Sequence, residues 1–321
     1  MIKKRFISML VLLAAVATGA WAQETYKVSV KEGTEDATSW TIAPAEATTA
    51  GVAAGTTVTA TYSGTKKVKS VKAVKKASGT PLDNTTTAWS AGTFAVPAGG
   101  LTYSAAITVR GDVTLVLTDG ETLTLNKGIS LASGATLTIQ GNGTMNVNGT
   151  SGSTASTVAG TGTIILTSGT LTAKGGNGAG FSSDVFGQTG ASGGAAINGS
   201  VTVNGGTLTA TGGNGGNCIG ATMINNSGGA GGAAISGDVT ITGGAVAATG
   251  GNGGSIGASN SGTGLHGGAG GAAIGGNATL TGGTLTATQG ANGTGNVDDS
   301  SVGTGGKAVA GTVTNNGGTV N

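Results

Sequence analysis

The sequence has few of the side chains that most often carry chemistry. One cysteine and one histidine occur among 321 residues, 9% of the residues are charged and 3% are aromatic. The single cysteine, Cys218, cannot form an intramolecular disulfide. After Tyr103 there is no tryptophan or tyrosine, and the only aromatic residues are Phe181 and Phe186. The chain therefore offers few aromatic platforms for sugars and few groups for acid–base catalysis.

The N-terminal segment is typical of a Sec-type secretory signal. Basic residues 3–5 precede the apolar run Phe6–Ala17, and Ala20-Trp21-Ala22 fits the small-x-small rule for cleavage. We predict a signal peptide over residues 1–22 and a location outside the cell, at its surface or in the periplasm. The apolar run is too short to span a bilayer and no second one follows, so an integral membrane protein is not expected. Cleavage would lower Lys+Arg from 15 to 12 against 13 Asp+Glu, which leaves no basic surface for nucleic acid.

From residue 161 the chain repeats one unit, made of an apolar strand, a glycine pair, a Thr-Leu-Thr-Ala-Thr-like strand and a glycine-rich stretch. The apolar strand of successive copies starts at Ile164, Val201, Val239, Ala278 and Val313, so the spacings are 37, 38, 39 and 35 residues. A period in this range is typical of a solenoid. It matters here because 67 glycines without a period would indicate low complexity or disorder.

Equivalent positions of the copies form ladders of like residues. Apolar and polar residues alternate in the Thr-Leu-Thr-Ala-Thr strands, which is the period of a strand with one buried face. The glycine pairs suit corners where φ turns positive, whereas the helix penalty of glycine, about 1 kcal/mol per residue, disfavours helices. One coil cannot bury its own apolar face, so neighbouring coils must stack. The predicted fold is therefore all-β: a right-handed parallel β-helix preceded by a small β-sandwich-like domain. The ladders comprise Ile197, Ile235, Ile274 and Val309, then Leu171, Leu208, Val246 and Leu285, and then Ala173, Ala210, Ala248 and Ala287.

Composition divides the chain into five parts. These are a signal peptide over 1–22, a small β module over 23–78, a linker and N-terminal cap over 79–105, the first β-helix coils over 106–160, and the glycine-rich β-helix repeats over 161–321. We expect Trp89, Phe94 and Tyr103 to cover the open end of the solenoid, because solenoids need caps to shield their terminal core.

Two stretches resemble known families. Gly51–Tyr62 resembles the internalin-type B-repeats of bacterial surface proteins, without their closing Gly-Trp, and this likeness implies a spacer or adhesion module. The run Gly111–Ile139, followed by units like Gly169–Gly178, resembles the glycine-rich, pectin-lyase-like β-helix surface proteins of Gram-negative bacteria. That group includes proteins described as carbohydrate-binding and others that are adhesin passengers, so the resemblance implies a surface role of one of these two kinds.

Sequence patterns for catalysis and metal binding are weak. Gly-x-Ser-x-Gly occurs at Gly253–Gly257 near His266, but a nucleophile elbow joins a strand to a helix and no helix is predicted. The Gly-Gly-Asn-Gly runs lack the aspartate of the calcium-binding nonapeptide. Asp298 and Asp299 could offer oxygen ligands to calcium, although solvated turn acids are the simpler interpretation. We therefore expect no catalytic residue, no metal site and no cofactor.

The polar rows of the repeats are the predicted binding face. Its candidate residues are Thr172, Thr209, Thr211, Asn214, Asn252, Thr286 and Thr288. Ala245 and Ala247 interrupt the threonine rows, which argues against a flat ice-binding array. The predicted function is a secreted or cell-surface, non-enzymatic structural or adhesion protein that presents a repetitive β-helix face. The alternative is a carbohydrate-binding module for plant or host polysaccharide.

The expected partners follow from this face and from the last coil. The face would bind polysaccharide or a glycan of the host or cell surface, and the uncapped C-terminal coil would offer an edge to a second copy. The glycine-rich loops should all emerge on one side, because insertions at equivalent points of a solenoid share a face. Deleting Asn214–Ala230 should then spare the fold, since loop length costs little entropy.

Overall fold

A computed structural model of the chain describes residues 7–12, 25–32, 35–36, 40–43, 52–53, 57–62, 70–76, 79–182, 187–219, 225–257, 264–295, 305 and 307–321. The chain forms two compact units, Met1–Ser78 and Gly79–Asn321. All regular secondary structure in these ranges is β-strand. Within them no helix has the length and apolar character needed to cross a membrane.

The N-terminal unit contains two antiparallel sheets. Its strands are β1 (Ile7–Leu12), β2 (Thr25–Glu32), β3 (Glu35–Asp36), β4 (Trp40–Ala43), β5 (Val52–Ala53), β6 (Thr57–Tyr62) and β7 (Ser70–Lys76). In one sheet β6 lies between β1 and β4. In the other, β2 pairs with β7 along one edge and with β3 and β5 along the opposite edge. Strand β1 lies within the predicted signal peptide, and export remains a prediction.

The second unit is a parallel β-helix. Its strands are β8 (Thr80–Pro81), β9 (Ala88–Trp89), β10 (Gly92–Ala95), β11 (Leu101–Tyr103), β12 (Ile107–Val109), β13 (Asp112–Leu117), β14 (Thr122–Leu125), β15 (Ile129–Leu131), β16 (Thr136–Gly141), β17 (Thr144–Asn148), β18 (Val158–Gly160), β19 (Thr163–Leu166), β20 (Thr170–Lys174), β21 (Phe181–Ser182), β22 (Val201–Val203), β23 (Thr207–Thr211), β24 (Cys218–Ile219), β25 (Val239–Ile241), β26 (Ala245–Thr249), β27 (Ala278–Leu280), β28 (Thr284–Thr288), β29 (Val313–Asn315) and β30 (Thr319–Val320).

Three parallel sheets run along the β-helix, and successive coils stack their strands in them. Sheet 1 has the order β8-β10-β13-β16-β19-β22-β25-β27-β29, sheet 2 the order β11-β14-β17-β20-β23-β26-β28-β30, and sheet 3 the order β9-β12-β15-β18. Sheet 3 continues as single bridges from Val158 through Ile197, Ile235 and Ile274 to Val309. Crossover connections between parallel strands of one sheet are right-handed in about 98% of cases, and the right hand of this β-helix stays a prediction.

The register of the strands matches the predicted ladders, and this confirms the β-helix. Leu171, Leu208, Val246 and Leu285 pair in one row, and Ala173, Ala210, Ala248 and Ala287 in another. These inward residues belong to one continuous hydrophobic core from Leu82 to Leu285, which Ala287 and Val309 pack against. The core is built of stacked like residues because coils of equivalent sequence bury equivalent positions.

The corners between sheets 1 and 2 require glycine. Gly206, Gly244 and Gly283 occupy equivalent corners with φ of 76°, 74° and 70°. At Gly206 an added Cβ would also lie 2.4 Å from the carbonyl oxygen of Gly169 in the preceding coil. Both the positive φ and the close stacking of backbones therefore exclude larger residues here.

Aromatic side chains fill the N-terminal end of the β-helix. Trp89 is fully buried and lies 6.0 Å from the Tyr103 ring and 6.3 Å from the Phe94 ring, centroid to centroid. The Tyr103 hydroxyl donates to the Asp83 carbonyl. The Asp83 carboxylate accepts the backbone N–H groups of Thr85 and Thr86 at 2.8 and 2.7 Å. The parallel sheets begin inside the predicted cap, because β8 to β11 already belong to them. These strands are too short, at two to four residues, for their alternation to be read from the sequence.

Candidate binding surfaces

The predicted threonines lie on the outward face of sheet 2. Thr172, Thr209, Ala247 and Thr286 form one row, and Lys174, Thr211, Thr249 and Thr288 form the next. Their outward direction follows from alternation with the buried leucine and alanine ladders. Ala247 interrupts the first row, as expected. The structure thus places five of the seven candidate residues together on one β-face.

The other two candidates, Asn214 and Asn252, lie in a separate layer that the glycine-rich stretches build. Each stretch leaves sheet 2 as an outgoing segment and returns to sheet 3 as an incoming segment. The outgoing segments are residues 175–180, 212–217, 250–255 and 289–294, and the incoming segments are residues 190–195, 228–233 and 267–272. Most of them consist of Gly-Gly-X triplets, in which X is asparagine, serine or alanine.

Hydrogen bonds within this layer repeat every three residues. In the outgoing segment 212–217, the N–H groups of Gly212 and Gly215 donate to the carbonyl groups of Thr249 and Asn252 of the next coil, both within 2.9 Å. The N–H groups of Gly213 and Gly216 donate instead to Gly194 and Ala191 of the incoming segment. A three-residue repeat with bonding only between segments is the behaviour of polyproline II chains. The layer is therefore a bundle of polyproline II-like segments rather than a set of free loops.

The segments interlock in a zigzag from coil to coil. One series of glycines alternates between outgoing and incoming segments, and the N–H of each glycine after the first donates to the carbonyl of the one before it. The series is Gly176, Gly194, Gly213, Gly232, Gly251, Gly271 and Gly290. Glycine is required because the backbones approach so closely: an added Cβ at Gly213 would lie 1.9 Å from the Gly176 carbonyl oxygen. The same requirement places glycine at the crowded axis of collagen.

The asparagines at the X positions complete the hydrogen bonding. The Oδ1 atom of Asn177 accepts the N–H of Asn214, that of Asn214 accepts the N–H of Asn252, and that of Asn252 accepts the N–H of Ala291, each at 2.9 Å. In the neighbouring row Asn217 Oδ1 accepts the N–H of Ser255 at 2.8 Å. These amides therefore have fixed orientations, and Nδ2 of each makes no hydrogen bond to a described residue.

An open groove of about 670 Å³ crosses the outgoing segments of four successive coils. The described side chains that line it are uncharged, and they include the asparagines of both rows together with Phe181, Ser182 and Ile219. Ile219 is 54% exposed, whereas Phe181 packs on a small satellite core of Cys218, Ile256 and Leu265. The groove thus combines fixed amide donors with a short apolar end.

Cys218 is a structural residue of this layer. The thiol is fully buried and donates to the Ser227 carbonyl at 2.9 Å. Burial raises the pKa of the thiol, and a backbone hydrogen bond from Gly190 opposes this only in part. The thiol is thus held in its protonated, unreactive form.

The residues of the chemical patterns in the sequence lie at separate places along the glycine layer, although the N–H of Gly268 donates to the Gly254 carbonyl at 2.8 Å and so joins the segments that carry His266 and Ser255. Ser255 lies on an outgoing segment, where its Oγ accepts the N–H of Thr294 at 3.1 Å, whereas His266 precedes an incoming one. No group of three or more His, Cys, Asp or Glu residues that could hold a metal ion occurs in the described part of the chain. Asp298, Asp299 and Phe186 lie outside the described residues.

Comparison with known proteins gives no relative for this parallel β-helix. No family model, no curated protein and no solved structure matches the chain. The resemblances to pectin-lyase-like surface proteins and to internalin-type repeats therefore remain predictions, and the functional argument depends on the surfaces themselves.

Sequence reasoning missed Asn177, Asn217 and Phe181 as members of the groove. The signal that could have identified the asparagines is the triplet run Gly-Gly-Asn-Gly-Gly-Asn at 212–217, whose three-residue period differs from that of a strand or a helix. Phe181 carries no such signal, because its position depends on the pairing of β21 with β24.

Proposed function

We propose that this protein is a secreted or cell-surface structural or adhesion protein that acts without catalysis. The observation that carries the proposal is repetition. Outward side chains recur in register from coil to coil, both in the threonine rows of sheet 2 and in the asparagine rows of the glycine layer. A surface of this kind can bind a partner through many similar weak contacts at once, and the resulting avidity exceeds the affinity of any single contact.

The rigidity of the two surfaces supports the same role. The rows of sheet 2 stand on a continuous core, and the asparagine rows stand on segments that are hydrogen-bonded on several sides. Side chains that are already fixed lose little conformational entropy when they bind. Their low charge also favours neutral partners over nucleic acid or acidic polymers.

The proposal is tested on cells that either carry or lack the gene. We expect the protein in the culture medium or accessible to external protease on intact cells, and we expect its loss to reduce attachment to immobilised host or extracellular material. Purified protein, added in excess, should compete with that attachment. Recovery only from the cytoplasm, or attachment that is unchanged without the protein, would refute the proposal.

The second candidate function is a carbohydrate-binding module for plant or host polysaccharide. The amide rows favour it, because Nδ2 groups of fixed orientation can donate to sugar hydroxyls. The test is co-sedimentation of the purified protein with insoluble polysaccharide and its retardation in glycan affinity gels. Unchanged mobility in every gel would remove this candidate and leave the adhesion role standing.

Docking of a second copy at the last described coil also remains a prediction. Val313 and Val320, in β29 and β30, are 46% and 44% exposed. If a second copy covers them, Val313→Lys should reduce self-association measured by sedimentation velocity.

A further inference from the structure

We propose that the groove of the glycine layer binds a proline-rich polypeptide in the polyproline II conformation. This inference deepens the adhesion role and rests on it, because it names the class of partner that the surface would hold. The ligand would lie along the outgoing segments as one additional segment of the layer.

The first argument is the match of periods. A polyproline II chain has three residues per turn, so carbonyl groups on one of its sides recur every third residue, and these are unsatisfied within the chain. Asn214 and Asn217 are the X residues of consecutive triplets and so present their amides at that same repeat. The segments of the layer already bind one another at this repeat.

The second argument is the direction of the free hydrogen-bonding groups. Oδ1 of Asn177, Asn214, Asn217 and Asn252 each accepts a backbone N–H of the next coil. Each of these Oδ1 atoms therefore already has one partner, whereas Nδ2 makes no hydrogen bond to a described residue and is the group most available to a ligand. Donors suit a chain that presents carbonyl oxygens, and they suit proline in particular, since it has a carbonyl and no N–H.

The third argument is the composition of the groove. Phe181 and Ile219 provide an apolar end against which a proline ring can pack, as in other grooves that recognise polyproline II ligands. The described lining residues carry no charge, so the segment bound there should be uncharged. Both partners are ordered before binding, and this reduces the entropy lost on association.

The test measures binding of a fluorescein-labelled oligoproline of about ten residues, which is about 31 Å long at 3.1 Å per residue. The full-length protein is titrated in by fluorescence polarisation, with a Gly-Ser peptide of equal length and a neutral labelled hexasaccharide as comparisons. We expect saturable binding of the oligoproline alone.

The informative variant is the double substitution Asn214→Ser/Asn217→Ser. Serine retains the backbone cap, as Ser255 does for Thr294 in the same layer, but it removes the Nδ2 donors. We expect binding about tenfold weaker or more from the loss of two hydrogen bonds, and a loss of similar size for Phe181→Ala. Asn198→Ser, an equal change at an exposed residue outside the groove, should leave the affinity unchanged.

A footprint on the unmodified protein keeps the inference testable if a variant unfolds. Oligoproline should slow amide hydrogen exchange over residues 175–182 and 212–219. No saturable oligoproline binding, full affinity in both groove variants, or a footprint elsewhere would overturn the inference, and selective binding of the hexasaccharide would assign the groove to glycans instead. If the protein mediates cell attachment but does not bind oligoproline, only this inference is wrong. If it neither mediates attachment nor binds oligoproline, the adhesion role is wrong as well.

Discussion

Alanine at Gly213 is the sharpest probe of the glycine layer. Its added Cβ would lie 1.9 Å from the carbonyl oxygen of Gly176 and 2.5 Å from the carbonyl carbon. A Cβ atom does not approach another heavy atom closer than about 3.0 Å, so the two segments must separate by more than 1 Å. The obstacle is backbone rather than a flexible side chain. Gly213 is not among the glycines with positive φ, so the effect is steric and owes nothing to backbone conformation.

The size of the effect follows from the hydrogen bonds that such a shift would disturb. The Gly176 carbonyl accepts the N–H of Gly194 at 2.8 Å, and Gly213 itself donates to Gly194 and accepts from Gly232. Loss of two of these bonds costs about 2 kcal/mol, and overpacking adds about 1–3 kcal/mol. We therefore expect Gly213→Ala to lower the free energy of unfolding by about 3–5 kcal/mol. For a unit of this size that corresponds to a fall in melting temperature of about 6–20 °C.

The assay is thermal unfolding by far-UV circular dichroism, with amide hydrogen exchange to locate the damage. Gly257→Ala is the matched control, because its nearest contact, with Ile219 Cγ2, is an ordinary 3.6 Å. Both substitutions reduce the entropy of the unfolded chain equally, so this opposing effect cancels in the comparison. If Gly213→Ala melts within about 1 °C of Gly257→Ala, the close packing of the layer is wrong.

Three further predictions test the core, the thiol and the N-terminal turn. Leu208→Asp should destabilise the β-helix by about 3–5 kcal/mol, since it places an unpaired charge at a fully buried position, whereas Thr209→Asp on the outward face should melt like the original protein. Cys218 should react with a thiol reagent only as fast as the layer opens, and prompt stoichiometric labelling of native protein would contradict this. Because burial raises the pKa of the thiol in the folded protein, stability should decline as pH rises above about 8.5, the pKa of the thiol in the unfolded chain. The Thr85 hydroxyl and backbone N–H groups lower the pKa of Asp83 to about 2, so its contribution should be complete above about pH 4 and be lost as pH falls toward 2. Asp83→Ala should abolish this part of the pH dependence of stability. If the variant and the original protein lose stability equally between about pH 4 and 2, the hydrogen bonds of Asp83 to Thr85 and Thr86 do not stabilise the fold.

The fold class could be predicted because it depends on side chains that repeat. Leucine and alanine recur at positions that only a stacked register brings together, and the pairing of Leu171 with Leu208 and Val246 follows that register. Parallel pairing already begins with β8 and β10, ahead of the first coils predicted from residue 106, and these strands have too few residues to show a pattern in the sequence.

The groove could be predicted only in part, because its scaffold is almost without side chains. Hydrophobic periodicity cannot detect a polyproline II bundle of glycine, since no apolar side chain marks a buried face. Accounting for backbone hydrogen bonds could have done so, because a long stretch packed against its neighbours must satisfy each N–H. Asn214 and Asn252 were found as repeated polar residues, but the role of their Oδ1 atoms as caps depends on a contact between coils.

Deletion of Asn214–Ala230 is the change for which sequence and structure lead to different expectations. Loop-closure entropy alone predicts that the fold is spared. In the structure, however, the N–H groups of Gly178 and Phe181 donate to Asn214 and Asn217, and those of Gly190 and Gly193 donate to Ser227 and Ala230. The deletion removes these acceptors, and it also removes Cys218 from the satellite core. The inward ladders of all three sheets lie outside the deleted residues. We therefore expect the β-helix to persist with amide exchange accelerated at Gly178 and Gly193, and a separate, earlier unfolding transition for the layer. Exchange at these amides that is as slow as in the intact protein would show that the segments do not stabilise one another, and collapse of the whole circular dichroism signal would show that the core depends on the layer.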